Sequence, residues 1–112
     1  MTSNITHRAF FGTADHDFTL TDDMITELER IADLGIGAFY QRVIAMHFKA
    51  ADLGEIIRLA LIGAGMHPQE AMRLTDTYAR NRPMSETFPL ALDILDARWN
   101  GTDTPATGDT PE

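Results

Sequence analysis

The chain of 112 residues contains no cysteine, one tryptophan and only nine basic residues. Without Cys there is no disulfide framework, no thiolate metal site and no thiol nucleophile; the composition suits a reducing compartment. Nine Lys and Arg stand against 17 Asp and Glu, for a formal charge of −8. The chain therefore lacks the broad positive field that general binding to a phosphate backbone requires. Long apolar runs are also missing. The longest, Leu59 to Met66, is eight residues between Arg58 and His67, whereas a bilayer span needs about 20. The N-terminal MTSNITHRAF has no apolar core of a secretory signal. These features predict a soluble, cytoplasmic protein. The length sits at the mode for one domain, which disfavours a two-domain enzyme.

The charge is unevenly placed. In residues 1–33, seven acids (Asp15, Asp17, Asp22, Asp23, Glu27, Glu29, Asp33) face Arg8 and Arg30, a net −5. Residues 34–100 hold seven acids and seven bases, and Asp103, Asp109 and Glu112 add −3 at the end. The middle of the chain is neutral.

With 44% apolar residues the chain has material for a core. Residues from about 8 to 20 read as a β-hairpin: Phe18 and Leu20 alternate with Asp17 and Thr19, and Gly12 to His16 is turn-forming. A two-stranded hairpin is marginal alone in water and has to pack on helices or extend a sheet across subunits. Five helical segments follow. Thr21-Asp22-Asp23 suits a helix start, with Met24, Leu28 and Ile31 as the apolar stripe and Ile25 and Ala32 beside it. Gly35 and Gly37 punctuate that helix, and a second carries Phe39, Val43 and Met46.

Asp52-Leu53-Gly54-Glu55 has the form of a capping box, with Asp52 as the cap. The third helix, roughly 53–62, is apolar on nearly all sides, which marks a central helix. Gly63 and Gly65 are expected to end it in left-handed conformations. The fourth begins with Pro68 after His67 at the cap, and Asp76 and Arg80 make a favourable pair one turn apart. Arg82-Pro83 stops it. The fifth presents Met84, Phe88, Leu92, Leu95 and Trp99, and Pro89 argues for a start near Glu86. The fold class expected is mainly α (α+β): a compact bundle of about five helices behind an N-terminal hairpin. One domain fills 1–101, and 102–112 forms a disordered acidic tail.

Catalysis has no candidate constellation. His7, His16, His47 and His67 lie outside any metal-ligand spacing such as HExxH. Gly35-Ile36-Gly37 and Gly63-Ala64-Gly65 follow helices rather than the buried strand a dinucleotide site needs. Ser3 and Ser85 have no GxSxG context, and the paired carboxylates of the first helix read as a solvated face. The expectation is a protein that is not an enzyme, with no cofactor and no metal. Helices three and four mimic a helix-turn-helix presenting Gln69, Arg73, Asp76, Thr77 and Arg80; Asp76 and the overall acidity oppose DNA binding, which stays a minor alternative. Six Met and eight Phe or Tyr are many for a small domain, and Met recurs on adaptable apolar surfaces. Phe10, Tyr40, Met46 and Phe48 are the candidate protein-binding residues, being the hardest to place inside.

FFGTADHDFTLTDDMITELE, GIGAFYQRV, EIIRLALIGAG, HPQEAMRLTDTYARNRP and ETFPLALDILDARWNG stand here in order. Over residues 8–101 the chain resembles the gene-transfer-agent family of small phage-tail proteins, usually classed as phage tail assembly chaperones. It departs from the family pattern at His67, where Ser or Thr is expected, and in its acidic tail. The resemblance implies a non-catalytic role in a prophage or gene transfer agent, binding tape-measure and tail-tube protein during tail morphogenesis. A structural tail or head–tail connector component is the alternative. Self-association, or binding of tape-measure helices, through surfaces near the hairpin and the second helix is a further expectation, with no membrane and no direct nucleic-acid partner.

Overall fold

The computed structural model describes residues 4–102. Two strands, β1 (Thr6–Phe11) and β2 (Ala14–Thr19), precede five helices: α1 (Asp22–Ala32), α2 (Ile36–Ile44), α3 (Ala50–Gly63), α4 (Pro68–Tyr78) and α5 (Met84–Asn100). The expected fold class is the observed one. The acidic tail lies, from residue 103 onward, outside the described residues. Thr102 itself is paired: it bridges to Asn4 across the start of β1, and its hydroxyl donates to the Asn4 and Thr6 carbonyls at 3.1 Å.

The hairpin is tighter than the sequence implies. β1 and β2 pair antiparallel from Thr6↔Thr19 to Phe11↔Ala14, so the turn is Gly12-Thr13 alone, and Ala14 to His16 belong to the strand. A two-residue turn needs positive φ, and Gly12 supplies it at +73°. Tyr78 adds a second reason for glycine, since a Cβ at Gly12 would lie 3.0 Å from its ring. Strand alternation sends Phe11 and Phe18 to the helices, their rings edge-to-face at 6.1 Å. Phe10, Arg8 and Asp17 face outward, and Arg8 pairs with Asp17 across the strands at 2.8 Å.

Caps explain most helix boundaries. The Thr21 hydroxyl accepts the Met24 N–H at 3.3 Å, and Nδ1 of His67 accepts the Gln69 N–H at 3.2 Å ahead of Pro68. α1 ends at Asp33, which takes the left-handed conformation at φ 56°; Gly35 is instead the N-cap of α2, and Gly37 lies inside α2. Gly35 has no side chain to cap with. The Glu29 carboxylate reaches across and accepts the Ile36 N–H at 2.9 Å.

Other boundaries correct the sequence reading. α2 stops at Ile44, and Met46, at the right helical spacing, is turned out by a φ of 65°. α3 begins three residues before Leu53, with Lys49 at its cap. Asp52 is therefore the third helical residue rather than the cap, and its carboxylate accepts the Lys49 N–H at 2.7 Å. α5 begins at Met84 and contains Pro89. Proline in a second turn removes one backbone bond; Ser85, whose carbonyl loses its partner, is exposed and open to hydration. The buried face of α5 is Thr87, Ala91, Ile94, Leu95 and Ala97, so the stripe of Met84, Phe88, Leu92 and Trp99 lies to one side of it. In α1, Leu28 is buried while Ile31 is exposed.

α3 is the central element, touching β2, α1, α4 and α5. Leu53, Ile56, Ile57, Leu59, Ala60 and Leu61 are all buried, as its all-round apolarity predicts. Its last residue explains the approach to the hairpin. A Cβ built on Gly63 would lie 1.9 Å from the Thr19 carbonyl oxygen. Gly63 is thus present for closeness, while Gly65, at φ +112°, supplies the positive φ that reverses the chain. Gly63→Ala is expected to lower stability by at least about 2 kcal/mol through overpacking against backbone. Gly54→Ala is expected to raise it by about 0.5–1 kcal/mol through helix propensity, since its Cβ would meet only the Thr75 methyl at an ordinary 3.6 Å. Urea unfolding midpoints of the two variants check both signs.

Candidate functional site

The four candidate residues divide by environment. Phe10 is 66% exposed on the outer face of the hairpin, and Met46 is 62% exposed after α2. Tyr40 is only 8% exposed, and Phe48 is half-buried with its ring stacked on Phe88 at 5.3 Å. The structure does not bring the four into one patch: Phe10 sits on β1, and the other three lie along α2 and the loop after it.

One apolar surface lies along the seam between α2 and α5. Gly37, Tyr40 and Ile44 follow one another at helical spacing on α2. The Trp99 ring of α5 stacks on Tyr40 at 4.8 Å and 26°, and its far edge reaches 4.0 Å from the Cβ position of Gly37. Trp99 remains 55% exposed and Ile44 is also exposed. Below the ring, the Tyr40 hydroxyl donates to the Asp96 carboxylate. That bond, together with burial and the nearby Asp96 charge, pushes the Tyr40 phenol up from 10 to about 12.

At the other end of α2, Arg42 is held in place. Its guanidinium donates to Asp52 at 2.9 Å and lies 5.2 Å from the Phe39 ring centre. Asp52 thereby joins the start of α3 to the end of α2 while also serving the Lys49 N–H. The Arg42 Nε is buried with no hydrogen-bond partner; the tight pairing on the other side of the guanidinium and the ring beneath it fix the group despite that cost.

A second surface is a cleft of about 560 Å³ between the start of α3, the end of α4 and the α4–α5 loop. Leu53, Gly54, Thr75 and Ala79 are among its lining residues, and Met72 and Met84 stand half-exposed at it. Arg58, Arg80 and Arg82 line it together with Glu55 and Asp76. Trp99 and Met84 were not candidates from sequence, because each falls at a helical spacing that reads as core, and Met72 was not singled out. The available signal was an excess: α5 carries more large apolar positions than one helix face can bury.

Among the described residues no group of three His, Asp or Glu is placed to hold a metal ion, and no helix is long and apolar enough to cross a membrane. The outer face of α4 does not build a positive surface: Arg73 pairs with Glu70, and Arg80 lies 3.8 Å from Asp76.

Two measurements probe this geometry. Asp52→Ala is expected to cost about 3 kcal/mol, because it leaves a largely buried arginine without its counter-charge and a helix start without its acceptor; chemical denaturation checks it. The raised Tyr40 phenol means the neutral form is favoured in the folded state. Its contribution is fully present below pH 10 and is lost as pH rises through about 12. The stability advantage of the wild type over Tyr40→Phe is therefore expected to shrink over that window, as read by denaturation below pH 10 and near pH 12.

A protein-family model described as "Phage tail tube protein, GTA-gp10" matches residues 4–101. No curated protein and no solved structure matches the chain. The family match begins at Asn4, before the hairpin, and ends at Gly101, just past α5, so it takes in every element of the described fold. The chain belongs to this gene-transfer-agent family of phage tail proteins.

Proposed function

We propose that the protein is a non-catalytic tail assembly factor that binds other tail components during morphogenesis, acting as a chaperone for tape-measure and tail-tube protein. The family match across the whole described domain supports a role among phage tail components; the chaperone activity and its clients are the further step proposed. The α2–α5 seam supports it physically. A half-exposed Trp stacked on a buried Tyr is the kind of anchor that dominates protein interfaces, and Ile44 extends it along α2. Apolar side chains of a client helix would lie against this seam in the manner of helix recognition by a groove.

The second reading is a structural tail component, which the family's own description as a tail tube protein favours. Such a subunit needs two different surfaces to meet its neighbours around a ring, and the seam and the cleft are two apolar surfaces at different places on the fold, with α5 contributing to both. The readings separate by persistence. Co-expression with the tape-measure and tail-tube proteins, followed by affinity pull-down, is expected to recover both with the wild type. Mass spectrometry of finished particles is expected to find the protein absent. Stoichiometric presence in particles establishes the structural reading instead, and failure to co-purify with either protein overturns the chaperone reading. Trp99→Ala is expected to weaken client recovery by roughly tenfold or more, as loss of about 2 kcal/mol at an anchor implies.

A further inference from the structure

The hairpin leaves one strand edge uncovered. Its two-residue turn makes Phe11↔Ala14 a pair that exchanges both backbone bonds, and such pairs alternate along an antiparallel ribbon. Ala9↔His16 and His7↔Phe18 are therefore bonded in the same way, and the backbone groups of Thr6, Arg8 and Phe10 point away from β2. Two contacts agree with this assignment. The Thr6 carbonyl accepts from the Thr102 hydroxyl, and the carbonyl of Thr19, the cross-strand partner of Thr6, meets Gly63 at the end of α3. Among the described residues nothing bonds to the backbone N–H or C=O of Arg8 or Phe10, and both residues are exposed.

The two outer edges differ in protection. The edge of β2 is closed at Thr19 by α3 and carries Asp15 and Asp17, whose like charges would face each other if two copies met there. The edge of β1 has none of the devices that keep free strands apart. It holds no proline, its register runs without a bulge, and its single fixed charge, Arg8, is matched by Asp17. Phe10 stands on it 66% exposed. The edge is also short. Thr102 occupies its start at Asn4 and Thr6, and Gly12 turns the chain at the other end. Only a strand as long as the stretch from His7 to Phe11 fits between them.

We propose that the occupant is β1 of a second copy, paired antiparallel about a two-fold axis at Ala9. Other registers that join outward-pointing groups fail. One centred on His7 meets Thr102, one centred on Arg8 sets two guanidiniums opposite each other, and one centred on Phe10 runs off the strand into Gly12. With the axis at Ala9, Arg8 exchanges both backbone bonds with the partner's Phe10, and Phe10 with the partner's Arg8. The exposed Phe10 ring then lies beside a guanidinium, a favourable cation–aromatic pair. Ala9 meets its copy in the closely spaced kind of pair, where a small side chain suits. The acids stay apart, because Asp15 and Asp17 lie on the outer strands of the joined sheet. Those strands are about 14 Å from each other at the ordinary strand spacing, beyond the screening length of about 8 Å. Negative charge thus opposes stacking of hairpin faces and leaves edge pairing open. The edge is separate from the seam and the cleft, and the proposal stands whether or not the chaperone reading does.

A pairing this short buries less than a standard interface, so the dimer is expected to be weak and to form at sub-millimolar concentration. Sedimentation equilibrium of the full-length protein is expected to show monomer and dimer in exchange. Phe10→Lys, which sets a lysine opposite the partner's Arg8, is expected to weaken association at least tenfold. Phe10→Pro is expected to do the same, because proline at an outward-pointing N–H removes no ladder bond from the monomer; circular dichroism confirms both folds. The absence of cysteine makes the register directly readable. Oxidation of Ala9→Cys is expected to yield a disulfide dimer, since the closely spaced pair holds its Cα atoms about 4.5 Å apart, within bridging range. Thr13→Cys, exposed at the turn but far from its copy, is expected to cross-link at least tenfold more slowly. A protein that stays monomeric throughout overturns the proposal. So does a dimer that both Phe10 variants leave intact, or faster cross-linking of Thr13→Cys than of Ala9→Cys. A monomer whose Arg8 and Phe10 amides gain hydrogen-exchange protection only on binding another tail protein shows a foreign strand on the edge, and this too overturns it.

Discussion

A two-stranded ribbon has too little buried surface to stand alone in water, and the rest of this fold is arranged around that constraint. Phe18 and Leu20 are fully buried, which places β2 in the core rather than on it. The contact that permits this is between backbones, where the end of α3 comes against the Thr19 carbonyl with no side chain at Gly63 to hold them apart. Further ties close the hairpin onto other elements. Tyr78 of α4 covers Gly12 and packs edge-to-face on Phe11 at 6.1 Å. Arg98 of α5 donates to the Leu20 carbonyl at 3.0 Å and to Asp22 at 2.7 Å, holding the passage from β2 into α1. Hairpin and helices are one packing problem, and α3 is where its parts meet.

Sequence patterning reached the existence, order and type of all seven elements because each has a strong local period or cap. Thr21 and the His67-Pro68 pair mark helix starts with chemistry that acts over three residues, so no tertiary information was needed to read them. Asp52 shows the limit. Asp-x-x-Glu is equally consistent with a helix start at Asp52 or three residues earlier, and the choice depends on Arg42, a residue ten positions away in sequence that supplies the Asp52 counter-charge. Gly63 shows another. Glycine after an apolar helix reads as a terminator, whereas its reason here lies in a strand more than forty residues upstream. Periodicity alone does not decide which apolar side chains are covered. Met46 sits at helical spacing but beyond the point where the chain turns, and Tyr40 is covered by a Trp99 ring from the far end of the chain. What a side chain faces across the fold decides its exposure, and the pattern within one helix does not carry that information.

The acidity of the chain takes on a spatial meaning once the elements are placed. Asp15 and Asp17 lie on the hairpin, and Asp22, Asp23, Glu27 and Glu29 on α1. α1 and α4 each pack on α3, and the neutral middle of the sequence builds α2 to α5 along with both apolar surfaces. Negative charge on the hairpin and α1 opposes close approach of like faces and of nucleic acid. The arginines gathered at the α3–α4 cleft belong to the neutral section, and each is matched there by a carboxylate of its own neighbourhood: Arg58 by Glu55, Arg80 by Asp76 and Arg82 by Glu86.

Trp99 differs from an apolar side chain that is simply exposed. Its ring is already stacked on Tyr40, and Tyr40 is in turn fixed by its bond to Asp96 and by burial. A free surface Trp loses rotamer freedom when a partner captures it, whereas here folding has already removed much of that freedom. A Cβ at Gly37 would meet the outer edge of the indole only at an ordinary contact distance of 4.0 Å. The seam therefore presents its largest apolar group in a fixed orientation at little further entropic cost to binding. The cleft works in the opposite way, with two flexible methionines that can adjust to what they meet. The two surfaces thus differ in rigidity, with a stacked ring at the seam and two half-exposed methionines at the cleft.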